Sequence, residues 1–348
     1  MDMIKHLYFS NIRLPKINPD GKKIIGITPK TKNSHLQYDF DNASDFLDAF
    51  DINKSELFKD NNRDIFTNYL FRGQEDFEWP LNSSICRELN IEKAVRSYFC
   101  SYGFTDEVDN FSHFVKGMDG LGLNIEKDSY DLINMIDKKE RMSGINIDST
   151  IAIFDFPKES QFKELALAQH FGVKTRLLDF TTNPLIALFF ASNKAYPFSK
   201  LDKNKKIGIW IIPKLLIDAV NIEKQYIKYI DVTKYQNKYI SAQKGVFLNY
   251  IPPSSQNHNN SSSVFDKNDS KRIKTLDEVL TEKHNNPYLN KLIEEHIGKP
   301  MLFTLPHNKL DIIAKRLEQL NINYFTMMPS LDGVKEEVLR HSKKPYSE

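Results

Sequence analysis

Residues 164–191 read ELALAQHFGVKTRLLDFTTNPLIALFFA. The first part continues an apolar pattern of helical period from Phe162, and Gly172 suits the positive φ often found just after a helix, so a helix is predicted over 162–170. The apolar run 176–180 predicts a buried strand. Pro184 favours the first position of a further helix over 185–195. This stretch therefore predicts a helix, a strand and a second helix in succession.

The predicted strand contains an acidic residue in apolar surroundings. Asp179 lies between Leu178 and Phe180. A carboxylate in a buried strand is unfavourable without a partner of opposite charge, and Arg176 or Arg72 could supply one. A structural ion pair and a role in a functional site explain Asp179 equally well.

An earlier segment, over 70–87, also mixes charged and amide side chains with bulky apolar ones. We call this segment and the stretch 164–191 the two dense segments. The earlier segment reads LFRGQ over 70–74, followed by WPLNSS over 79–84 and by Arg87. The run 69–72 predicts a strand, so Arg72 would lie at the rim of a sheet, where a guanidinium suits a phosphate or a ribose edge. Gly73 would let a ligand approach the backbone closely. Taken alone, Arg72 is more often explained by an ion pair with a core carboxylate.

Three further positions are candidates for chemistry. His170 could act as a base paired with Asp179, although a helix-end histidine bonded to a backbone carbonyl is the commoner arrangement. The hydroxyls of Thr181 and Thr182 precede a helix and could face an anion, or this segment could only cap the helix. Gln243 is expected to enter an apolar strand, and an ordinary hairpin would also explain it.

The remaining pattern predicts an α+β fold. Helical periods fill much of 88–165, and a strand-rich half follows, which favours α+β over alternating βαβ units. The Ser- and Asn-rich range 252–269 predicts a loop. Further helices are predicted over 92–104, 111–121, 130–142 and 310–320, and further strands over 207–213, 226–232, 245–251, 301–305 and 324–328.

The composition is ordinary for a globular protein of 348 residues. Hydrophobic residues make up 40% and charged residues 27%, and a net charge of +2 gives no global bias toward nucleic acid or membrane. Local clusters over 200–206 and 267–274 are basic. Cys86 and Cys100 are too few for a disulfide framework. With no leader-like or membrane-spanning run in the sequence, a cytoplasmic location without membrane contact is expected.

Common catalytic signatures are missing from the sequence. It contains no G-x-x-x-x-G-K-[ST], G-x-G-x-x-G, H-E-x-x-H, paired C-x-x-C or G-x-S-x-G. P-loop, Rossmann, zinc and serine-hydrolase mechanisms are therefore disfavoured, and no metal site is expected.

The two dense segments together resemble the FRG domain, which takes its name from a Phe-Arg-Gly triplet, here Phe71-Arg72-Gly73. The similarity extends over 72–87, 164–191, 242–247 and 324–333. It implies an N-terminal β/α extension over 1–64 and an FRG domain over 65–335. The domain would carry a helical insert at about 88–165 and the Ser/Asn-rich loop at about 252–270.

The order of the motifs also resembles the Arg–Ser/Thr–Glu/Gln order of mono-ADP-ribosyltransferases. That resemblance implies a split β-sheet core and NAD as co-substrate. The candidate NAD-binding residues are Arg72, Gly73, Gln74, Arg176, Thr181 and Thr182. The candidate catalytic residues are Arg72, Asp179, Gln243 and His170. The third motif of that family usually carries a glutamate, so Asp179 or Glu164 would have to supply the charge that Gln243 lacks.

Three functions stay open, with an enzyme favoured. The first is an intracellular mono-ADP-ribosyltransferase, a toxin or phage-defence effector restrained by an antitoxin or another inhibitory partner. Its macromolecular acceptor would be RNA or DNA slightly more readily than protein. The second is a non-catalytic module that senses a nucleotide or a phage component. The third is a nuclease that uses His170 and Asp179.

Overall fold

The computed structural model describes residues 22–51, 53–58, 68–88, 101–141, 156–193, 204–223, 227–234, 237–250, 265–266, 269–273 and 275–342. The strands in these ranges are β1 (Lys30–Thr31), β2 (Leu36–Asp39), β3 (Tyr69–Gln74), β4 (Leu177–Thr181), β5 (Lys206–Pro213), β6 (Ile227–Ile230), β7 (Gly245–Tyr250), β8 (Phe265–Asp266), β9 (Asp269–Ile273) and β10 (Met301–Pro306).

Eight of these strands form one sheet in the order β1-β2-β10-β5-β3-β4-β7-β6. β2 pairs with β10 in parallel, and the other neighbours pair antiparallel. The chain is thus a mixed protein of helices around a large, mostly antiparallel sheet, in line with the predicted mixture of helices and strands. Because β2 belongs to this sheet, part of the N-terminal region is built into the same core as the later strands.

The α-helices of the described ranges, leaving aside short 3-10 and π turns, lie around this sheet. They are α1 (Ala43–Asp48), α2 (Ser84–Glu88), α3 (Ser101–Gly120), α4 (Lys127–Arg141), α5 (Phe162–His170), α6 (Pro184–Ser192), α7 (Lys214–Asn221), α8 (Lys238–Ala242), α9 (Leu276–Leu280), α10 (Pro287–Leu292), α11 (Leu310–Gln319), α12 (Tyr324–Met327) and α13 (Leu331–Ser342).

The alternation of side chains along β3 divides the core. Successive residues of a strand point to opposite faces of its sheet. Phe71 accordingly packs in one buried cluster with Phe189 of α6, whereas Leu70 packs in a second cluster with Trp210 of β5. A third cluster contains Phe111 of α3 and joins this helix to α5 and β4. The sheet is therefore covered on both faces around β3.

The helix–strand–helix succession of the opening stretch is confirmed. Gly172 has φ 89°, as expected for the residue that follows the end of α5. Asn183 caps α6, because its Oδ1 accepts a hydrogen bond from the backbone N–H of Leu185 at 2.9 Å. Pro184 is the first residue of α6. The sequence therefore specifies these boundaries through local capping chemistry.

Several predicted features lie partly outside the described residues. The prediction for 92–104 can be compared only from residue 101 onward. Of the predicted loop 252–269, only 265, 266 and 269 are described, and of the two basic clusters only 204–206 and 269–273. Within the predicted insert, α3 and α4 pack together through buried residues such as Phe111 and Leu132.

The strand predicted over 324–328 is wrong, because Tyr324–Met327 is the short helix α12. Asn323 Oδ1 accepts from the N–H of Thr326, and Thr326 Oγ1 accepts from the N–H of Asn323, each at 3.1 Å. This reciprocal capping starts a helix and outweighs the strand preference of the residues Tyr-Phe-Thr.

Gly73 lies where β3 approaches α6 most closely. A Cβ at this position would be 1.8 Å from the carbonyl oxygen of Ala187. Gly73→Ala is therefore expected to destabilise the fold by about 1–3 kcal/mol or more, since backbone rather than a flexible side chain would have to move. Urea unfolding followed by circular dichroism measures this change.

A matched substitution is available in α3. A Cβ at Gly117 would meet no atom within 4 Å, so Gly117→Ala should stabilise the helix by up to about 1 kcal/mol. Equal unfolding midpoints for the two variants would contradict the close packing of β3 against α6.

Candidate functional site

The three strands associated with the predicted motifs are neighbours in the sheet. β3 carries Arg72, β4 carries Asp179 and Thr181, and β7 begins shortly after Gln243. Thr181 pairs with Phe71 on one side and with Gly245 on the other. The Phe71–Thr181 pair is the only one joining β3 to β4 in the described register, so these two strands separate beyond it.

A cavity of about 320 Å³ opens around this junction. Six of the predicted site residues line it: Arg72, Gly73, Gln74, Asp179, Thr181 and Gln243. A smaller cavity of about 160 Å³ adjoins it, and both are lined by Arg72, Arg87 and Asp179. The sheet thus brings together residues that are more than a hundred and fifty positions apart in the sequence.

The side chain of Arg72, on β3, connects this strand to β4. Its Nη1 donates to the main-chain oxygen of Asp179 at 2.7 Å and lies 3.8 Å from Oδ2 of the same residue. Its Nε is buried and has no hydrogen-bond partner among the described residues. Burial lowers the pKa of the guanidinium, and Asp179 acts in the opposite direction. An arginine nevertheless stays charged in a protein, so Arg72 offers a cation and an unused donor.

Asp179 lines both cavities, and 61% of its side chain is exposed. Gln169 Nε2 donates to its Oδ1, and Gln169 Oε1 accepts in turn from Thr175 Oγ1. The surrounding protein raises the pKa of Asp179, while Arg72 and Arg87 act to lower it. With this exposure and two guanidinium neighbours, we expect an ionised carboxylate at neutral pH. Of the two arginines suggested by the sequence, Arg72 is its partner.

Thr181 and Gln243 are linked on the opposite side of β4. Thr181 Oγ1 donates to the main-chain oxygen of Gln243 at 2.8 Å. The side-chain Nε2 of Gln243 donates to the carbonyl of Met327 at 3.1 Å. The expectation that Gln243 enters a strand is wrong, because it caps the C-terminus of α8 and β7 starts only at Gly245. Asn237, whose Oδ1 accepts from Ile240 N–H, begins that helix.

Arg176 is placed in the core rather than in either cavity as lined by the described residues. Its Nε donates to Oε2 of Glu107 at 2.6 Å, and its backbone N–H donates to Oε1 at the same distance. The two side chains are 3% and 0% exposed. Arg176 therefore joins the start of β4 to α3, and its contacts are those of a structural ion pair.

His170 and Thr182 are also absent from the described lining of the two cavities. The ring of His170 stacks on Tyr239 with centroids 3.7 Å apart. Burial lowers the pKa of His170, although Asp179 favours its charged form. Thr182 is held by its backbone N–H, which donates to the carbonyl of Lys244 at 3.3 Å.

Two lining residues have structural reasons for their identity. Gly73 is required by α6, as the Ala187 carbonyl leaves no space for a side chain. Gln74 Oε1 accepts from Trp210 Nε1 at 2.9 Å, and its Nε2 donates to Pro80 at 3.4 Å. Both polar groups of the Gln74 amide are therefore occupied by hydrogen bonds within the protein.

Arg87 and Gln169 line the smaller cavity, although neither is among the residues that the sequence predicts to bind NAD or to act in catalysis. Both stand in the dense segments, and only the folded chain places them beside Asp179. Glu164, the other candidate for the missing acidic group, is buried elsewhere: its oxygens accept from the N–H of Glu126 at 2.6 Å and from Ser129 Oγ. Asp179 is thus the acidic candidate that lines the cavity.

A comparison with protein-family models finds a match in the part of the chain that contains the two dense segments. The FRG domain model matches residues 67–200. The matched range includes β3, β4 and the helices between them, and it ends before Gln243 and β7. No curated protein and no solved structure matches the chain.

Two searches of the described residues gave no further site. They contain no cluster of three or more His, Cys, Asp or Glu side chains arranged to hold a metal ion. None of the helices they form is both long and apolar enough to cross a membrane.

Proposed function

We propose that the cavity at the FRG domain binds NAD and that the protein is a mono-ADP-ribosyltransferase that modifies a macromolecule. The observation that carries this proposal is the side-by-side placement of the Arg72, Thr181 and Gln243 segments around one cavity. A site assembled from three distant segments is more informative than any one motif, because each alone has an ordinary structural explanation.

The charges of the cavity suit a dinucleotide. Arg72 and Arg87 bring two cations to the larger cavity, and Lys174 adds a third in the smaller one, whereas the acidic residues in their described lining are Asp179 and Glu75. The partnerless Nε of Arg72 is a donor that a phosphate oxygen would satisfy. A volume of about 320 Å³ falls within the usual range of small-molecule sites. The larger cavity and the adjoining smaller one, which share the Arg72–Asp179–Arg87 wall, favour an extended anionic ligand.

The proposed step is substitution at the anomeric carbon of the nicotinamide ribose. The bond from C1′ to the nicotinamide nitrogen breaks, and its electron pair leaves with neutral nicotinamide. A nucleophile of the acceptor forms the new bond to C1′, and its proton passes to Asp179 or to water. Positive charge develops on the ribose as the bond breaks, and an oriented carboxylate stabilises such charge.

Asp179 is the residue we assign to this stabilisation. Gln243 is neutral and its amide donates to Met327, whereas Asp179 brings a carboxylate to the cavity, whose described lining also includes Glu75. Gln169 fixes one carboxylate oxygen, and Arg72 holds the main chain beside it. The structure does not favour the nuclease alternative, since His170 stacks on Tyr239 outside the described cavity lining.

Asp179→Asn tests this assignment. Asparagine keeps an oxygen that accepts from Gln169, so the melting temperature should change little. Nicotinamide release from NAD should fall at least about tenfold, because the negative charge is lost. NAD affinity, measured by calorimetry, should stay equal or improve as repulsion of the phosphates disappears.

Asp131→Asn, an exposed position on α4, is the control and should behave as the parent protein. Unchanged nicotinamide release by Asp179→Asn would overturn the role of this carboxylate. NAD binding with no release by the parent protein would instead indicate the non-catalytic sensor.

A further inference from the structure

An open groove of about 590 Å³ lies beside the end of α5 and the helix α8. Its described lining includes Phe171, Lys234, Lys238 and Tyr239, and none of the candidate NAD-binding residues contributes to it. The groove is therefore distinct from the cavity around Arg72 and needs its own explanation.

Phe171 exposes an aromatic ring in this groove. It directly follows α5, and 62% of its surface is accessible to solvent. The ring is flanked by Phe114, with centroids 6.2 Å apart, and by Tyr239, with centroids 6.5 Å apart. Tyr239 is itself fixed by the stacked ring of His170. Phe171 thus forms part of an aromatic surface that is exposed and is held in place by neighbouring rings.

The charged residues of the groove are basic. Lys238 Nζ lies 5.7 Å from the ring centroid of Tyr239. Lys234 Nζ is 2.6 Å from Asp231, and both side chains are about half exposed. No carboxylate is found among the described residues that line the groove. An aromatic surface beside two lysines suits a ligand that has flat rings and negative charges.

The groove and the cavity are connected through the same two elements. Gln169, near the end of α5, donates to Asp179 in the cavity, and Phe171 follows two positions later. Tyr239 belongs to α8, and Gln243 at the end of that helix lines the cavity. A polymer held in the groove would therefore lie next to the site of the proposed transfer.

We infer that the groove binds the acceptor of the reaction and that this acceptor is a single-stranded nucleic acid. A base would stack on Phe171, and phosphates would lie beside Lys234 and Lys238. A single strand is required because the bases of a duplex already stack on one another and cannot offer a free face. The role as acceptor rests on the proposed transferase function, whereas binding itself does not.

The test is fluorescence anisotropy with a labelled oligouridylate of about 20 nucleotides and no NAD. Phe171→Ala is expected to weaken binding by about tenfold, as removal of one stacking partner usually does. Phe171→Trp should restore it. The double variant Lys234→Ala, Lys238→Ala should lower the slope of log affinity against log salt by about 1.4, given about 0.7 for each single-strand phosphate contact.

Tyr288→Ala is the control, because Tyr288 is a comparably exposed aromatic residue on α10. Failure of the parent protein to bind the oligonucleotide, or equal affinity of Phe171→Ala and the parent, would overturn the inference. Nicotinamide release with labelling of protein but no oligonucleotide binding would overturn only the inference about the groove, and it would identify a protein acceptor. Oligonucleotide binding without nicotinamide release would support the groove and overturn the proposed transferase function instead.

Discussion

Arg72→Lys is expected to lower nicotinamide release from NAD by about 10²–10³-fold. The guanidinium holds the Asp179 carbonyl through Nη1 and keeps Nε free for a ligand. A lysine is a point charge on a flexible stem and cannot place donors in two fixed directions. Removal of one oriented donor at a reacting centre commonly lowers turnover by this amount.

Calorimetry and unfolding measurements separate the causes of that loss. We expect NAD affinity to fall as well, since the donor directed at the ligand is lost, while circular dichroism shows a folded protein. Arg316→Lys, an exposed position on α11, is the matched control and should keep full activity. Turnover by Arg72→Lys within about threefold of the parent would contradict the placement of Arg72 at the reacting group.

Arg176→Met is expected to reduce the free energy of unfolding by about 3–5 kcal/mol. Its partner Glu107 is fully buried, so the substitution leaves an uncompensated carboxylate in the core. Breaking one side of a buried ion pair usually has an effect of this size, because the remaining charge has lost both water and partner.

Urea unfolding of three variants tests this expectation. Addition of Glu107→Gln to Arg176→Met should recover part of the loss, since the buried charge is removed while the side-chain oxygen at position 107 still accepts from the backbone N–H at position 176. Arg316→Met should change stability by less than about 0.5 kcal/mol. If Arg176→Met abolished NAD binding but changed stability by less than about 1 kcal/mol, Arg176 would instead be a residue that contacts NAD.

These two arginines show how far the sequence determines the site. Both stand in apolar strand regions beside an acidic residue, and both resemble ligand-binding arginines in the linear sequence. The difference arises from Glu107, which lies in α3 sixty-nine positions before Arg176. Nothing in the local pattern marks Glu107 as its partner, so only tertiary packing separates the core arginine from the site arginine.

The sequence predicts best those helix and strand boundaries that depend on side chains close to them in the chain. The φ of Gly172, the cap at Asn183 and the strand at β3 follow from side-chain properties within a few residues. The same kind of chemistry places Tyr324 in a helix, because the capping box of Asn323 and Thr326 outweighs the strand preference of the following residues. Gln243 was misplaced because a helix of five residues, α8, has too few turns to give a recognisable period.

The sequence predicts several residues of the candidate site but not how they are arranged in space. The order of Arg72, Thr181 and Gln243 indicated a common site, and the adjacency of β3, β4 and β7 brings them to one cavity. Arg87 and Gln169 were not assigned roles, because an exposed arginine and a helical glutamine have many ordinary explanations. Their importance comes from their position beside Asp179.

The most direct test of the proposed function is label transfer from NAD that carries ³²P in its phosphates. The purified protein is incubated with this NAD and either total RNA, denatured DNA or a protein extract, and the macromolecules are separated from free nucleotide. We expect label on a macromolecule together with free nicotinamide, and the loss of both with Arg72→Lys. Intact NAD and unlabelled macromolecules in every mixture would contradict the proposal.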